Sequence, residues 1–219
     1  MDDTEFDRAL IAAAFELAAE RGWKRFSVAA AARTASLPLD RARLRFPGRG
    51  ALLLRFGRMA DAAALARTAT EGPPRDRLFE LVMRRIDVLQ AHRGGILALL
   101  RALPADPPLA LLLAVANFRS MAWLLEAAGL ASTGPAGRLR TKGFLAVWLW
   151  TVRAWQRDAS ADLAATMAAL DQALARAERW AKWLPGGGSR AAEADAEPTP
   201  EPAGPGAPPE PPASPPLVM

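Results

Sequence analysis

The sequence predicts an all-α protein. Apolar residues recur at intervals of three and four through most of the chain, no segment alternates apolar and polar residues over any length, and Gly and Pro clusters separate the helical segments. Intervals of three and four place side chains on one face of a helix, whereas a strand needs a period of two. The 219 residues suffice to bury a core without a disulfide or a metal. We expect a small helical head followed by a larger helical domain.

The composition argues against several classes of protein. The chain has no cysteine and one histidine, so it offers neither a thiolate nucleophile nor a recognisable metal site. Its glycine clusters do not follow strands, which argues against a phosphate-binding loop. The acidic N-terminus is unlike an export signal, and the longest strongly apolar run, 143–152, is about half of the roughly 20 residues that span a membrane. We expect a cytoplasmic protein without enzyme activity, metal or cofactor.

Residues 1–48 are predicted to form a three-helix head. Asp3 or Thr4 is expected to cap the first helix, Ser27 the second, and Pro38 occupies the first position of the third, where a missing N–H is tolerated. The first helix is predicted to end at Arg21, and the second and third are predicted at 28–34 and 38–45. The last two, joined by a three-residue turn, form a helix-turn-helix whose second helix is narrow enough to enter a DNA major groove.

Residues 49–184 are predicted to form a helical ligand-binding and dimerisation domain. Its helices are expected at 49–70, 75–90, 95–103, 108–128, 138–157 and 160–184. In the last of them, apolar residues alternate at intervals of four and three, which indicates packing along another helix, within the chain or across a dimer. Met167, Leu170 and Leu174 are the predicted dimer contacts. Residues 185–219, rich in Pro, Ala and Glu, are predicted to be a disordered tail.

Positive charge is concentrated in and just beyond the head. Between residues 21 and 58, ten Lys and Arg residues stand against Asp40 alone, a balance of ten minus one, or +9, whereas the whole chain carries +5. This density favours a polyanion, duplex DNA, as partner. Arginines can bind phosphates or the O6/N7 edge of guanine, and a helix start adds free N–H groups. The predicted DNA-binding residues are Ser27, Arg33, Leu39, Arg41, Arg43, Arg45 and Arg49.

Aromatic and methionine side chains are frequent in segments 108–128 and 138–157. At helical spacing, such residues form either an ordinary core or the lining of a cavity between two helices. A lining of this kind would select a hydrophobic molecule. We predict a pocket for a small apolar effector, lined by Phe118, Met121, Trp123, Phe144, Trp148, Thr151 and Trp155.

Residues 9–58 resemble the N-terminal domain of TetR/AcrR regulators. The resemblance rests on Ala-Ala-Phe-Glu-Leu-Ala-Ala-Glu-Arg-Gly-Trp at 13–23, on Phe26-Ser27-Val28, and on Phe-Pro-Gly-Arg-Gly-Ala-Leu-Leu at 46–53. It implies a TetR-like fold and a homodimer. It also implies that the N-terminal unit binds operator DNA and releases it when a small molecule enters the C-terminal domain.

Three positions depart from the TetR/AcrR pattern. Ser36 stands where the turn usually has Gly, Arg43 where the recognition helix has an aromatic residue, and Arg45 where His is common. A serine held at positive φ costs about 1 kcal/mol, because its Cβ crowds the backbone. The departures therefore concern the turn geometry and the contacts to operator DNA.

A second resemblance covers the C-terminal half. Arg140-Thr141-Lys142, the segment 158–162 and Leu170-Asp171 resemble the lipid-binding accessory protein of coenzyme Q biosynthesis, which is built like a TetR regulator. This resemblance implies presentation of an isoprenoid lipid to ring-modifying enzymes, with a membrane surface as the partner of the arginine-rich patch. The sequence thus predicts a ligand-responsive DNA-binding repressor, with a lipid-binding accessory protein of ubiquinone biosynthesis that does not bind DNA as the alternative.

Overall fold

The computed structural model describes residues 1–66 and 72–182. Over these residues the chain forms nine α-helices, one short 3₁₀ turn and no strand, which confirms the all-α prediction. The helices are α1 (Asp3–Arg21), α2 (Val28–Thr34), α3 (Leu39–Arg45), α4 (Arg49–Leu65), α5 (Pro74–Gln90), α6 (Arg93–Ala102), α7 (Pro107–Ala127), α8 (Gly134–Arg157) and α9 (Ala164–Lys182), with the 3₁₀ turn at Leu103–Ala105. The predicted tail, 185–219, lies outside the described residues.

A capping box starts α1. The Asp2 carboxylate accepts hydrogen bonds from the N–H groups of Thr4 and Glu5 at 2.7 and 2.8 Å, and the Glu5 carboxylate accepts one from the Asp2 N–H at 3.0 Å. These bonds satisfy N–H groups that have no partner inside the helix. The cap is therefore Asp2, and the predicted caps, Asp3 and Thr4, lie inside the first turn.

The helix-turn-helix follows the sequence closely. Ser27 caps α2 as predicted, because its hydroxyl oxygen accepts the Ala30 N–H at 3.1 Å. Pro38 stands immediately before α3 rather than at its first position. Ser36, in the turn between the two helices, has φ +55°, the left-handed conformation that Gly adopts most easily. The turn geometry expected from the resemblance is thus present despite the serine.

The connection between α8 and α9 is organised around a carboxylate. Asp158 Oδ2 accepts the Thr166 N–H at 2.8 Å and its hydroxyl at 2.7 Å, while Oδ1 accepts the Ser160 N–H at 3.0 Å and its hydroxyl. Hydrogen bonds from Ser160 and Thr166 hold the pKa of Asp158 well below its ordinary value. With Leu163 at φ +55°, this turn delays the start of α9 to Ala164, four residues later than predicted.

The head and the larger domain share one continuous apolar core. Helix α1 packs against α6, and Gly95 of α6 lies so close to α1 that an added Cβ would be 2.3 Å from the carbonyl oxygen of Phe15. Only Gly permits this approach. Helix α4 leads from the head into the domain and packs against α5 and α7. Side chains of α1 and α6 therefore meet across the predicted boundary at residue 48.

The apolar seam of α9 is filled within the subunit. Leu170 and Leu174 are buried in the single chain, where α9 packs against α8 and α5, and Met167 is half-buried. The prediction that Leu170 and Leu174 are dimer contacts is therefore wrong. Both intra- and intermolecular packing produce intervals of four and three, and here the intramolecular partner occupies the seam.

Helix α7 is a long apolar helix that the sequence analysis did not single out. Pro107–Ala127 is the one helix in the described residues that is long and apolar enough to cross a membrane by length and composition, and 22% of its most apolar window is buried. It is longer than the run at 143–152, which the sequence analysis takes as the longest strongly apolar one. Leu111, Val115 and Trp123 are exposed along it. These three side chains leave part of α7 apolar at the surface.

Candidate nucleic-acid interface

Helix α3 presents one face to solvent at the surface of the head. Ala42 faces inward and packs in the core, while Leu39, Asp40, Arg43 and Leu44 are exposed. At 3.6 residues per turn, these four exposed positions span about 140° of the helix surface. The structure therefore leaves a single face of α3 free for a macromolecular partner.

Two carboxylates of α1 hold two of the predicted DNA-binding arginines. Arg45 donates to Asp7 through Nε at 2.8 Å and Nη2 at 2.9 Å, and to Asp3 through Nη1 at 2.6 Å. Arg41 donates to Asp3 at 2.5 Å, and its guanidinium stacks on the Phe6 ring, 4.4 Å from the centroid. Both side chains turn toward α1, and their contact with DNA stays a prediction.

Asp7 is the centre of this cluster. Its side chain is fully buried and also accepts a hydrogen bond from Nε of Arg55 in α4 at 2.6 Å. Burial raises the pKa of Asp7, but the hydrogen bonds and charges of Arg45 and Arg55 outweigh burial, so the pKa lies below its ordinary value. The same pairing raises the pKa of Arg45. Asp7 thus stays ionised and joins α1, α3 and α4.

Four of the predicted DNA-binding residues line one cleft. It has a volume of about 540 Å³ and lies between α2, α3 and the start of α4. Arg43 donates to the Pro47 carbonyl at 2.9 Å and Arg49 to the Trp23 carbonyl at 3.0 Å, which leaves further donors on both guanidiniums. The four residues are Ser27, Leu39, Arg43 and Arg49. Arg33 is exposed at the end of α2.

Most of the predicted ligand-pocket residues are packed in the core. Met121, Phe144, Trp148, Thr151 and Trp155 are buried and Phe118 is half-buried. The cleft of about 540 Å³ described above lies in the head and not between α7 and α8. Trp123 is 66% exposed, so its prediction as an interior lining residue is wrong: it stands on the outer face of α7.

A buried polar cluster lies beside these aromatic residues, and the sequence analysis missed it. Arg85 of α5 donates to Asp61 of α4 at 2.5 Å and to Asn117 of α7 at 3.1 Å, and Ser120 donates to Asp61 at 2.5 Å. The guanidinium lies 4.7 Å from the Trp148 ring centroid. Arg85 is 4% exposed, and its Nε is buried without an acceptor in the described structure. This cluster connects α4, α5, α7 and α8.

Three solved structures share this architecture. A TetR transcriptional regulator from Nitrosomonas europaea matches with TM-score 0.66 and 23% identity, covering 82% of this chain and 99% of that one. The chain has the TetR fold. A TetR-family regulator from Streptomyces coelicolor matches with TM-score 0.58 and 18% identity, over 84% of this chain and 83% of that one. A TetR regulator from Rhodococcus matches with TM-score 0.52 and 14% identity, over 80% and 97%.

The TetR fold confirms the architecture that the N-terminal resemblance implied. No family model and no curated protein matches the sequence. The three structures are all described as TetR regulators, so they lend no support to the lipid-carrying alternative. In this TetR fold, the helix-turn-helix formed by α2 and α3 stands at the surface, and α4 connects it to the Arg85 cluster.

Replacing Asp7 with Asn tests the charge cluster. The change should lower the free energy of unfolding by about 3 kcal/mol at pH 7, because it leaves Arg45 and Arg55 beside a buried neutral amide. Urea unfolding followed by tryptophan fluorescence measures it. Asp40→Asn, at an exposed position on α3, is the matched control and should change stability by less than about 0.5 kcal/mol.

The difference between wild type and Asp7→Asn should also depend on pH. Because the pKa of Asp7 is lowered in the folded protein, its stabilisation is fully present above the ordinary carboxyl pKa and is lost as the pH falls through the folded-state pKa. The difference in unfolding free energy should therefore shrink below about pH 4. A difference that stays at its pH 7 value as the pH falls well below 4 would contradict an ionised Asp7.

Proposed function

We propose that this protein is a ligand-responsive transcriptional repressor of the TetR type, a cytoplasmic homodimer that binds operator DNA through α2 and α3. The observation that carries the proposal is the exposed face of α3, flanked by arginines, on a TetR fold. A helix of this kind can enter the major groove while neighbouring cations bind the phosphates.

The charge that remains after internal pairing supports a polyanionic partner. Of the ten basic residues between 21 and 58, three pair with Asp3 and Asp7, which leaves ten minus three, or seven. Cations outside such pairs release counterions when they bind phosphates, and this release drives association with duplex DNA. The seven are Arg21, Lys24, Arg25, Arg33, Arg43, Arg49 and Arg58.

Binding to duplex DNA is the first test. In a gel-shift series with genomic fragments, contact with about six phosphates gives a log–log slope of affinity against salt near −5. Arg33→Ala should weaken binding to all sequences and reduce the slope by about 1, whereas Arg43→Ala should alter the preferred sequence. Arg176→Ala, which removes an exposed arginine on α9, is the control and should change neither. Absence of any retardation at low salt would refute the proposal.

The outer face of α8 supports a dimer. Leu139, Leu149 and Trp150 are about half exposed, and Gly143 and Ala146 lie between them on the same face. Small residues between large apolar ones allow two helices to approach closely. A two-fold axis through this face would bring two copies of α8 together and give two heads for two half-sites. This face replaces the buried seam of α9 as the proposed dimer contact.

A charge on this face should dissociate the dimer. Trp150→Glu should give the monomer mass by light scattering at micromolar concentration, and DNA affinity should fall because one head reads one half-site. Ala62→Glu adds the same charge at an exposed position of α4 and should remain dimeric. Leu174→Glu should instead unfold the subunit, since Leu174 is buried within it. A wild type that is monomeric under these conditions would refute the dimer.

The Arg85 cluster supports a response to a ligand. A molecule entering among α4, α5, α7 and α8 would meet an aromatic surface at Trp148 and a guanidinium whose Nε has no acceptor in the described structure. Asp61 lies on α4, and α4 begins at Arg49 in the cleft of the head. A ligand that displaces Asp61 from Arg85 would therefore move the helix that carries the head. To release DNA, it must bind the DNA-free conformation more tightly.

Native mass spectrometry of the purified protein, followed by titration of the co-purified compound into the protein–DNA complex, tests this response. The compound should lower DNA affinity at least tenfold, a coupling of about 1.4 kcal/mol. In Arg85→Met, which keeps the bulk but removes the charge, the same titration should release less DNA. A co-purified isoprenoid that leaves DNA affinity unchanged would instead support the lipid-binding accessory protein.

A further inference from the structure

The exposed face of α3 has an unusual composition for a surface that meets DNA. Leu44 is 84% exposed, the highest value among the exposed large apolar residues of the described chain, and Leu39 is 44% exposed. They stand at the two edges of the face, about 140° apart, with Arg43 and Asp40 between them. Nothing in the part of the chain that the structure describes covers Leu44.

Phosphate binding does not account for these residues. Leucine side chains gain nothing from phosphates, and the Asp40 carboxylate would repel them. Base edges offer a partner to the arginine, the carboxylate and the leucines alike. The guanine edge accepts hydrogen bonds from Arg, and the cytosine amino group donates one to a carboxylate. The 5-methyl group of thymine makes apolar contact with a leucine. Arg41 and Arg45 pair with carboxylates of α1, so these two cations turn away from the exposed face of α3. The leucines remain at the edges of that face.

We propose that Leu39 and Leu44 select thymines in the operator through their 5-methyl groups. The proposal rests on the proposed function, since it requires α3 to lie in the major groove. The occupant is duplex DNA rather than a second protein, because the two leucines flank Arg43 in a head rich in unpaired cations. Each half-site should accordingly contain thymines on both sides of the base pair read by Arg43.

The expected size of the effect follows from the burial of one methyl group. Removing a buried methyl changes affinity by about fourfold, and a palindromic operator bound by a dimer presents each contact twice. Replacing the contacted thymine by uracil in both half-sites therefore lowers affinity about fifteenfold for each leucine contact. Uracil pairs like thymine and lacks only the methyl group, so hydrogen bonding and phosphate contacts are unchanged.

The experiment starts from duplexes that the wild-type protein recovers from a random pool of synthetic DNA. Each thymine of the recovered site is replaced by uracil in turn, together with its counterpart in the other half-site, and affinity is measured by fluorescence anisotropy for wild type and for the double variant Leu39→Ala/Leu44→Ala. Wild type should show the penalty at specific thymines, and the double variant should not distinguish thymine from uracil. Leu111→Ala, at an exposed leucine on α7, should behave as wild type.

The outcomes separate the two proposals. If the wild-type protein recovers no DNA, the proposed function fails before thymine selection is tested. If it recovers a site but tolerates uracil at every position, or if the double variant keeps the wild-type penalty, thymine selection by these leucines is overturned while DNA binding stands. Single variants show which thymines each leucine contacts. Leu44→Ala should lose the affinity difference between thymine and uracil at one subset of positions, and Leu39→Ala should lose it at another. Unchanged thermal unfolding of the variants shows that the head remains folded.

Discussion

A buried carboxylate ties together the helices that form the head of this protein. Asp7 of α1 bonds Arg45 of α3 and Arg55 of α4, so the exposed helix and the helix that leads into the larger domain are both held by the same two oxygens. A buried carboxylate without partners would be strongly unfavourable, and these two guanidiniums satisfy it only in one relative placement of the three helices. The direction in which α3 faces solvent is therefore a consequence of this cluster.

Helix α4 carries contacts to both halves of the molecule. Arg55 reaches Asp7 in the head, and Asp61, six residues further along, reaches Arg85 in the larger domain. The two contacts are separated by about 9 Å along one helix, a distance over which a helix moves as a rigid rod. A shift of α4 at either charged pair therefore also moves the other pair, without any change in the intervening core. Under the proposed function, α4 would be a direct physical route between the Arg85 cluster and the exposed face of α3.

The local features of the fold could be predicted from the sequence, and its long-range pairings could not. Helical periodicity, the Ser27 cap and the turn at Ser36 depend on neighbouring residues, and the structure has each of them. The pairing of Arg41 and Arg45 with Asp3 and Asp7, 38 residues away, could not be predicted from the spacing of the arginines. The dimer contacts predicted on α9 are wrong for a related reason. Apolar residues at intervals of four and three do not reveal which helix packs against them. Arg85 was missed because its partners lie on two other helices.

The start of the chain contacts two arginines of α3. Arg41 donates to the Met1 carbonyl at 3.4 Å, Asp2 caps α1, and Asp3 pairs with both Arg41 and Arg45. An affinity tag fused before Met1 would therefore emerge beside the exposed helix, and removal of residues 1–3 would leave Arg41 free to move outward. Such preparations would differ in how their α3 arginines are presented, and so comparisons of DNA affinity are sound only between proteins with the same N-terminus.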